Sequence, residues 1–259
     1  MRLRALTAAL AMAWLPQASA ATDACSAASG TAQLPLVELY TSEGCSDCPP
    51  ADKWLSQLTQ EAGGIQAAAL AFHVDYWDDL GWVDRFGLPM NSQRQKARIG
   101  WAKSKALVTP AVMIGEKVMV KWRSPAAVES LLQARAEDAP VGLGLAAKLE
   151  PGAVQVDFQA TPESAIAAPA YVWLALYQDG LTSAVRAGEN KNVTLHHDRV
   201  VRALHGPWQL GAKPIAGDAR IPLPADADVA RMGLVLFAES GTNGAGLQAV
   251  QMPLSGCAK

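Results

Sequence analysis

Cys45-Ser46-Asp47-Cys48 places two thiols three positions apart. At that spacing they can close a disulfide, exchange it with another thiol, or hold a soft metal ion together. In an exchange reaction Cys45 is expected to be the more exposed thiol and the nucleophile, with Cys48 resolving the mixed disulfide. The setting moderates the chemistry. Glu43, Asp47 and Asp52 lie close in sequence, and a carboxylate disfavours a neighbouring thiolate. Pro49-Pro50 fits the start of a helix, where the missing N–H groups are not needed. Cys45 then sits on the loop ahead of that helix and gains little from its dipole, which fades within a turn. The expectation is a dithiol less oxidising than one with a histidine between its cysteines. A permanently closed, structural Cys45–Cys48 bridge is the alternative.

Thr109-Pro110 is the second feature with chemical content. A proline that opens a central strand removes a ladder donor. A cis Thr109–Pro110 peptide, offering the preceding backbone to an extended substrate segment, explains it, and a trans proline at a strand edge is the alternative. Cys25 and Cys257 stand at opposite ends of the organised sequence and are expected to pair as a structural disulfide. Closing so long a loop stabilises a fold by up to about 5 kcal/mol in the chain-entropy model. The alternative makes Cys257 a resolving thiol. Cys45, Cys48 and His73 form a coherent donor set for Cu(I), against which stands the lack of a Met/His-rich tract. His196-His197 point to opposite faces of a strand and cannot easily share an ion. Neither a metal nor an organic cofactor is expected.

The elements that must position these residues follow from periodicity. Leu34 to Tyr40 reads as a strand, Pro50 to Gln60 as a helix ended by Gly63-Gly64, and Ala67 to Asp75 as a strand buried on both faces. An aromatic and acidic loop over 76–88 comes next, then a polar helix from Asn91 to Lys103. Ala106 to Ile114 and Val118 to Trp122 read as strands around a Gly115-Glu116-Lys117 turn, and Ser124-Pro125 opens a helix running to Ala136. A CxxC between the first strand and first helix of a βαβ unit is the thioredoxin-like arrangement, and β-α-β-α-β-β-α is its order. Topology then brings His73, Asp75, Tyr76 and Trp77 to the sheet edge that carries Cys45, Cys48 and Pro110, with Trp77 at a substrate lip. Most of the 76–88 loop is expected to pack over the site.

Asp138-Ala139-Pro140 marks a domain boundary. Beyond it come short alternating runs, Leu143–Leu149, Val154–Ala160, Tyr171–Gln178, Thr194–Leu204 and Met232–Glu239, separated by turn residues. The expected architecture is an α/β thioredoxin-like domain over 34–138, followed by a mostly antiparallel β-sandwich-like domain over 141–259. Gly188-Glu189-Asn190 lacks the glycine spacing of a phosphate cradle and reads as a turn-rich loop suited to an interdomain contact.

Residues 1–20 carry the three parts of a secretory signal: Arg2 and Arg4, an apolar Leu6 to Leu15, and Ala18-Ser19-Ala20. Residues 21–33 read as a loose leader. Cleavage takes the formal charge from −2 to −4, since two of the 22 basic residues leave and all 24 acidic residues stay. With no basic run, nucleic acid and anionic membrane surfaces are unfavoured partners, and no membrane anchor is expected in the mature form. A periplasmic or secreted location follows.

The run Val37 to Asp52, with His73-Val74-Asp75-Tyr76-Trp77, Gly81-Trp82, Thr109-Pro110 and Gly188-Glu189-Asn190, resembles the exported bacterial domain-of-unknown-function family numbered 1223. The resemblance implies a thioredoxin-like fold with a β-rich extension. Ala111 departs from the polar residue expected after the proline. The function expected from all this is thiol–disulfide exchange by Cys45 and Cys48 on the thiols and disulfides of other exported proteins, with Thr109, Pro110 and Trp77 binding substrate and an unknown redox partner. Copper binding by the same cysteines, or a non-catalytic interaction module, is the alternative.

Overall fold

Val37 and Leu39 point to one face of their strand and Glu38 and Tyr40 to the other, the alternation that pleating imposes. That strand anchors a computed structural model describing residues 24–60, 67–133, 138–166 and 169–257. The signal peptide expected over 1–20 and the end of the helix expected to reach Ala136 lie outside these residues. The elements run β1 (Ala24–Ala28), β2 (Leu36–Thr41), α1 (Pro49–Gln60), β3 (Ala68–His73), α2 (Pro89–Trp101), β4 (Ala111–Ile114), β5 (Lys117–Val118) and α3 (Pro125–Gln133). Strands follow: β6 (Val141–Glu150), β7 (Ala153–Pro162), β8 (Ala170–Gln178), β9 (Leu181–Ala184), β10 (Thr194–His197), β11 (Val200–Leu210), β12 (Ile215–Pro222), β13 (Met232–Ser240) and β14 (Gly246–Pro253).

The molecule is mixed α/β, mostly sheet, and largely antiparallel. One eight-stranded sheet, ordered β14-β13-β8-β11-β3-β2-β4-β5, takes strands from both halves of the chain. The halves meet where β11 runs parallel to β3, with Val200 opposite Ala71 and the Ala71 N–H bonded to the Arg199 carbonyl at 2.8 Å. A second sheet, β1-β6-β7-β12, packs over β8, β13 and β14 through Phe158, Val156, Leu174, Leu176, Leu234 and Leu236. Val37, Leu39, Ala71 and Ile114 pack against Leu55 of α1 and Val128 and Leu132 of α3.

The helix α2 is anchored differently. Its buried residues are Asn91, Ser92, Arg94, Gln95, Arg98 and Ile99, a nearly wholly polar set. Arg94 reaches Glu38 of β2 and Glu239 of β13, and Arg98 reaches the same two carboxylates. The Arg94 guanidinium also lies over the rings of Phe72, Trp173 and Phe237, 5.0–5.5 Å from their centroids. A polar helix can bury its face because every charge meets a partner.

Several elements depart from expectation. Residues 24–28 of the expected loose leader form β1, antiparallel to β6, with Cys25 opposite Ala147; their small side chains gave no alternation to read. The Thr194–Leu204 run splits into β10 and β11, because Arg199 takes φ +59° and turns the chain from a two-stranded β9-β10 sheet into the eight-stranded one. The strands expected at 106–114 and 118–122 shrink to Ala111–Ile114 and Lys117–Val118, since Trp122 leaves the sheet edge to pack on Trp54. Cys25 and Cys257 are bridged, joining β1 to the residues after β14.

Candidate functional site

The Cys45–Cys48 segment connects the end of β2 to the start of α1. Cys48 closes a turn through its N–H to the Cys45 carbonyl at 3.2 Å, and its own carbonyl accepts from Ala51 and Asp52 as α1 begins. Pro49 and Pro50 are the first residues of that helix, so Cys45 stands on the loop ahead of it, as the prolines imply. The two cysteines form a disulfide with Cα atoms 5.4 Å apart. The sulfur of Cys45 lies 3.6 Å from the Thr109 carbonyl oxygen, across a cis Thr109–Pro110 peptide. One expectation fails here: Cys45 is 1 % exposed and Cys48 0 %, so neither sulfur is open to solvent.

Thr109 and Pro110 follow a stretch, 104–108, that belongs to no helix or strand. Val108 in that stretch is 52 % exposed, and its carbonyl is held by Gln95 Nε2 of α2 at 2.8 Å. Tyr76 donates to Gln95 Oε1 at 3.1 Å, which ties the aromatic loop to the same point. Trp77 is half-buried, with its Cβ so near Gly44 that a side chain there would come within 3.1 Å. Within the 76–88 loop, Trp82, Asp84 and Phe86 turn inward while Leu80 and Val83 face solvent. Ala111 is buried in β4.

Beneath the motif lies a buried titratable cluster that sequence reasoning only half anticipated. His73, at the end of β3, donates from Nδ1 to Asp84 Oδ2 at 2.7 Å, and the same oxygen accepts the Glu43 N–H at 2.9 Å. Asp84 Oδ1 accepts from Phe86 N–H at 2.9 Å. Glu43 accepts the Trp82 indole N–H at 2.8 Å, and its other oxygen lies 3.3 Å from His197 Nε2. His197 Nδ1 is 3.8 Å from Asp52, and its ring meets that of His73 edge-on at 4.8 Å. Burial alone would lower His73, but the Asp84 carboxylate outweighs it and raises its pKa. Burial would raise Asp84, and His73 with the backbone donors holds it below the usual range. For Glu43 burial is again opposed, by the neighbouring His197 and Ser183 side chains and the Trp82 bond, and the pKa falls. For Asp52 burial prevails over the histidines and the pKa rises. The carboxylates near the CxxC are therefore not equivalent, as their closeness in sequence had suggested. The neighbours of Glu43 favour its ionised form, and burial disfavours that of Asp52.

His196 and His197 fall on opposite faces of β10, the first exposed and the second buried. Among the described residues, no three or more His, Cys, Asp or Glu side chains converge to hold a metal ion. The thiols of the copper set are in the bridge, and His73 spends Nδ1 on Asp84. His197, Asp84 and Glu43 were missed as a group because 41 or more positions separate Glu43 from the others. Their only sequence signal is polar residues ending or interrupting apolar runs. Gly188-Glu189-Asn190, read as an interdomain contact, reaches the CxxC itself, where Asn190 bonds the carbonyls of Glu43 and Cys45.

A family model described as "Protein of unknown function (DUF1223)" matches residues 36–239. No curated protein matches the sequence. The fold is similar to that of protein AGR_C_4864 from Agrobacterium tumefaciens, with a TM-score of 0.61 and 23 % identity over 86 % of this chain and 96 % of that one. It is also similar to HBP35 of Porphyromonas gingivalis, with a TM-score of 0.66 and 12 % identity over 86 % of this chain and 76 % of that one. Among the described residues no helix is long and apolar enough to cross a membrane, and all four cysteines are paired, which is compatible with export.

Proposed function

The chain belongs to the DUF1223 family of proteins of unknown function, and from that premise we propose that it performs thiol–disulfide exchange on other exported proteins through Cys45 and Cys48. The observation that carries this reading is the Cys45–Cys48 bridge ahead of α1, with Cys45 Sγ 3.6 Å from the Thr109 carbonyl. The order β2-α1-β3-α2-β4-β5-α3 supports reading residues 34–138 as a thioredoxin-like domain. Residues 141–259 are then a β-sandwich-like domain fused to it at the β3–β11 seam. We place the protein in the oxidising compartment that follows signal-peptide cleavage, the periplasm or the exterior.

When the protein oxidises a substrate, the substrate thiolate attacks Cys45 Sγ, a mixed disulfide forms, and Cys48 leaves as a thiolate. A second substrate thiol then attacks the substrate sulfur, so the substrate gains a disulfide and the protein keeps two electrons as a dithiol. A disulfide-bearing redox partner takes those electrons back. Reduction of a substrate is the same sequence reversed. The largely exposed segment 104–108, outside every strand, and the half-buried Thr109 and Pro110 offer an edge on which an extended substrate segment can lie, with Trp77 beside it.

Insulin reduction with dithiothreitol as electron donor tests the reading. The wild-type chain is expected to accelerate it, Cys45→Ser to abolish the acceleration, and Cys48→Ser to trap a mixed disulfide with the substrate. Wild-type turnover equal to the uncatalysed rate, with nothing trapped by Cys48→Ser, would leave the bridge a structural staple.

A further inference from the structure

Cys45 is held by residues far from its own motif. Asn190 is buried, and its Nδ2 donates to the carbonyls of Glu43 and Cys45, both at 2.9 Å. The neighbouring Glu189 is exposed, and one oxygen of its carboxylate accepts the Ser46 N–H at 2.9 Å and the Ser46 hydroxyl at 2.7 Å. Residues 43, 45 and 46 are thus tied to a loop some 145 positions away. That loop is itself seated on Trp82. A Cβ at Gly188 would come within 3.1 Å of the Trp82 Cβ, and Gly188 takes φ +69°, which a side chain resists. Trp82 in turn bonds Glu43, which closes the frame around the Cys45 turn.

The two halves of this contact differ in strength. The Asn190 bonds are shielded from water, where an unmade bond is costly. Those of Glu189 are open to solvent, so water can replace them at little cost. Cys45 Sγ is almost wholly covered and faces Thr109, so an attacking thiolate reaches it only after the Cys45 turn shifts.

Resting on the exchange reading above, we propose that the Gly188-Glu189-Asn190 loop positions the redox pair. Asn190 fixes the Cys45 turn against Thr109, and Glu189 is a releasable tether on Ser46 whose release opens Cys45 to attack. The second half of the chain is then part of the redox site, setting how fast the bridge opens. The depressed pKa of Glu189, caused by the two Ser46 bonds, agrees with a tether that is closed when the carboxylate is ionised.

The test is the rate at which dithiothreitol reduces the bridge in the oxidised full-length protein. A dithiothreitol thiolate attacks Cys45 Sγ and Cys48 leaves as a thiolate. The second dithiothreitol thiol then closes its ring and releases Cys45, passing two electrons to the bridge. Glu189→Ala is expected to raise the second-order rate about two- to fivefold, the scale of losing charged contacts that are open to solvent. Its urea midpoint should not change, because Glu189 lies at the surface. Glu189→Gln, which keeps an acceptor, should fall between the two rates. Asn190→Ala and Gly188→Ala should give larger accelerations, with urea midpoints confirming that they fold. A wild-type rate in Glu189→Ala would overturn the tether. A bridge that dithiothreitol reduces in no variant would instead overturn the exchange reading, and this proposal with it.

Discussion

Replacing Arg94 with methionine removes one charge from a buried quartet of two guanidinium and two carboxylate groups. Glu38 is 0 % exposed and Glu239 2 %, so neither can turn to water once its partner is gone. Arg94 Nε lies 3.1 Å from Glu38 Oε1, and its Nη1 and Nη2 lie 3.0 and 2.8 Å from the two oxygens of Glu239. Burial would raise Glu38, yet the charges of Arg94 and Arg98 outweigh it and hold its pKa lowered. In Arg94→Met one guanidinium, Arg98, faces two carboxylates. Leaving a buried charge uncompensated costs about 3–5 kcal/mol, a large part of the roughly 5–15 kcal/mol that stabilises a typical domain. Methionine keeps most of the apolar bulk under Trp173 and Phe237, so the cavity contribution is small. The double variant Arg94→Met/Glu38→Gln restores neutrality and should recover at least ~1 kcal/mol of the loss. Urea unfolding followed by far-UV circular dichroism gives both values. A single-variant loss below about 1 kcal/mol, or a double variant no more stable than the single, would refute the charge-balance argument. The same substitution should loosen the site, because α2 also carries Gln95, which holds the Val108 carbonyl, and Asn91, which holds that of His73.

Stability should also depend on pH through His73 and Asp84. His73 is raised above its ordinary 6.5, so its contribution is complete below that value and is lost as pH climbs through the raised one. Asp84 is lowered from 3.8, so its contribution is complete above 3.8 and disappears as pH falls through the lowered value. The unfolding free energy that wild type gains over His73→Gln should therefore peak near about pH 5 and shrink in alkali; a gain that keeps growing as pH rises above the ordinary histidine value of 6.5 contradicts the assignment. The Cys25–Cys257 bridge closes a separation of 232 residues, so Cys25→Ser should cost up to about 5 kcal/mol. Alkylation of the unreduced protein followed by intact mass should find no free thiol, and a labelled Cys25 would remove the staple from the account.

What the sequence made legible was the local geometry of the motif. Pro49-Pro50 dated the start of α1 to within a residue, and the doubly apolar run before His73 marked β3 as a central strand. Strand alternation put His196 and His197 on opposite faces, as the structure has them. Long-range partners were not legible. The strands β9, β12 and β14 are short or carry glycine and polar residues on their outer faces, so their alternation is weak. They are strands because neighbours supply the ladder, as when Ile215–Pro222 pairs along Ala153–Ala160. α2 hid its role for a related reason, since arginine reads as a surface residue until two carboxylates arrive from distant strands. Nor could spacing foretell that a turn-rich loop at 188–190 would sit on the CxxC, since that contact exists only when the two halves are docked.

The reduction potential of Cys45–Cys48 in the full-length protein tests the central claim most directly. Cys45 stands ahead of the α1 dipole, no histidine separates the cysteines, and exposed Asp47 lies between them. These features give little help to a thiolate. The account predicts equilibration with a thiol redox buffer at a value between about −180 and −270 mV, the range of bridges that exchange readily. A potential near about −120 mV would contradict the weakly oxidising character assigned here, and one below about −300 mV would make the bridge a permanent staple.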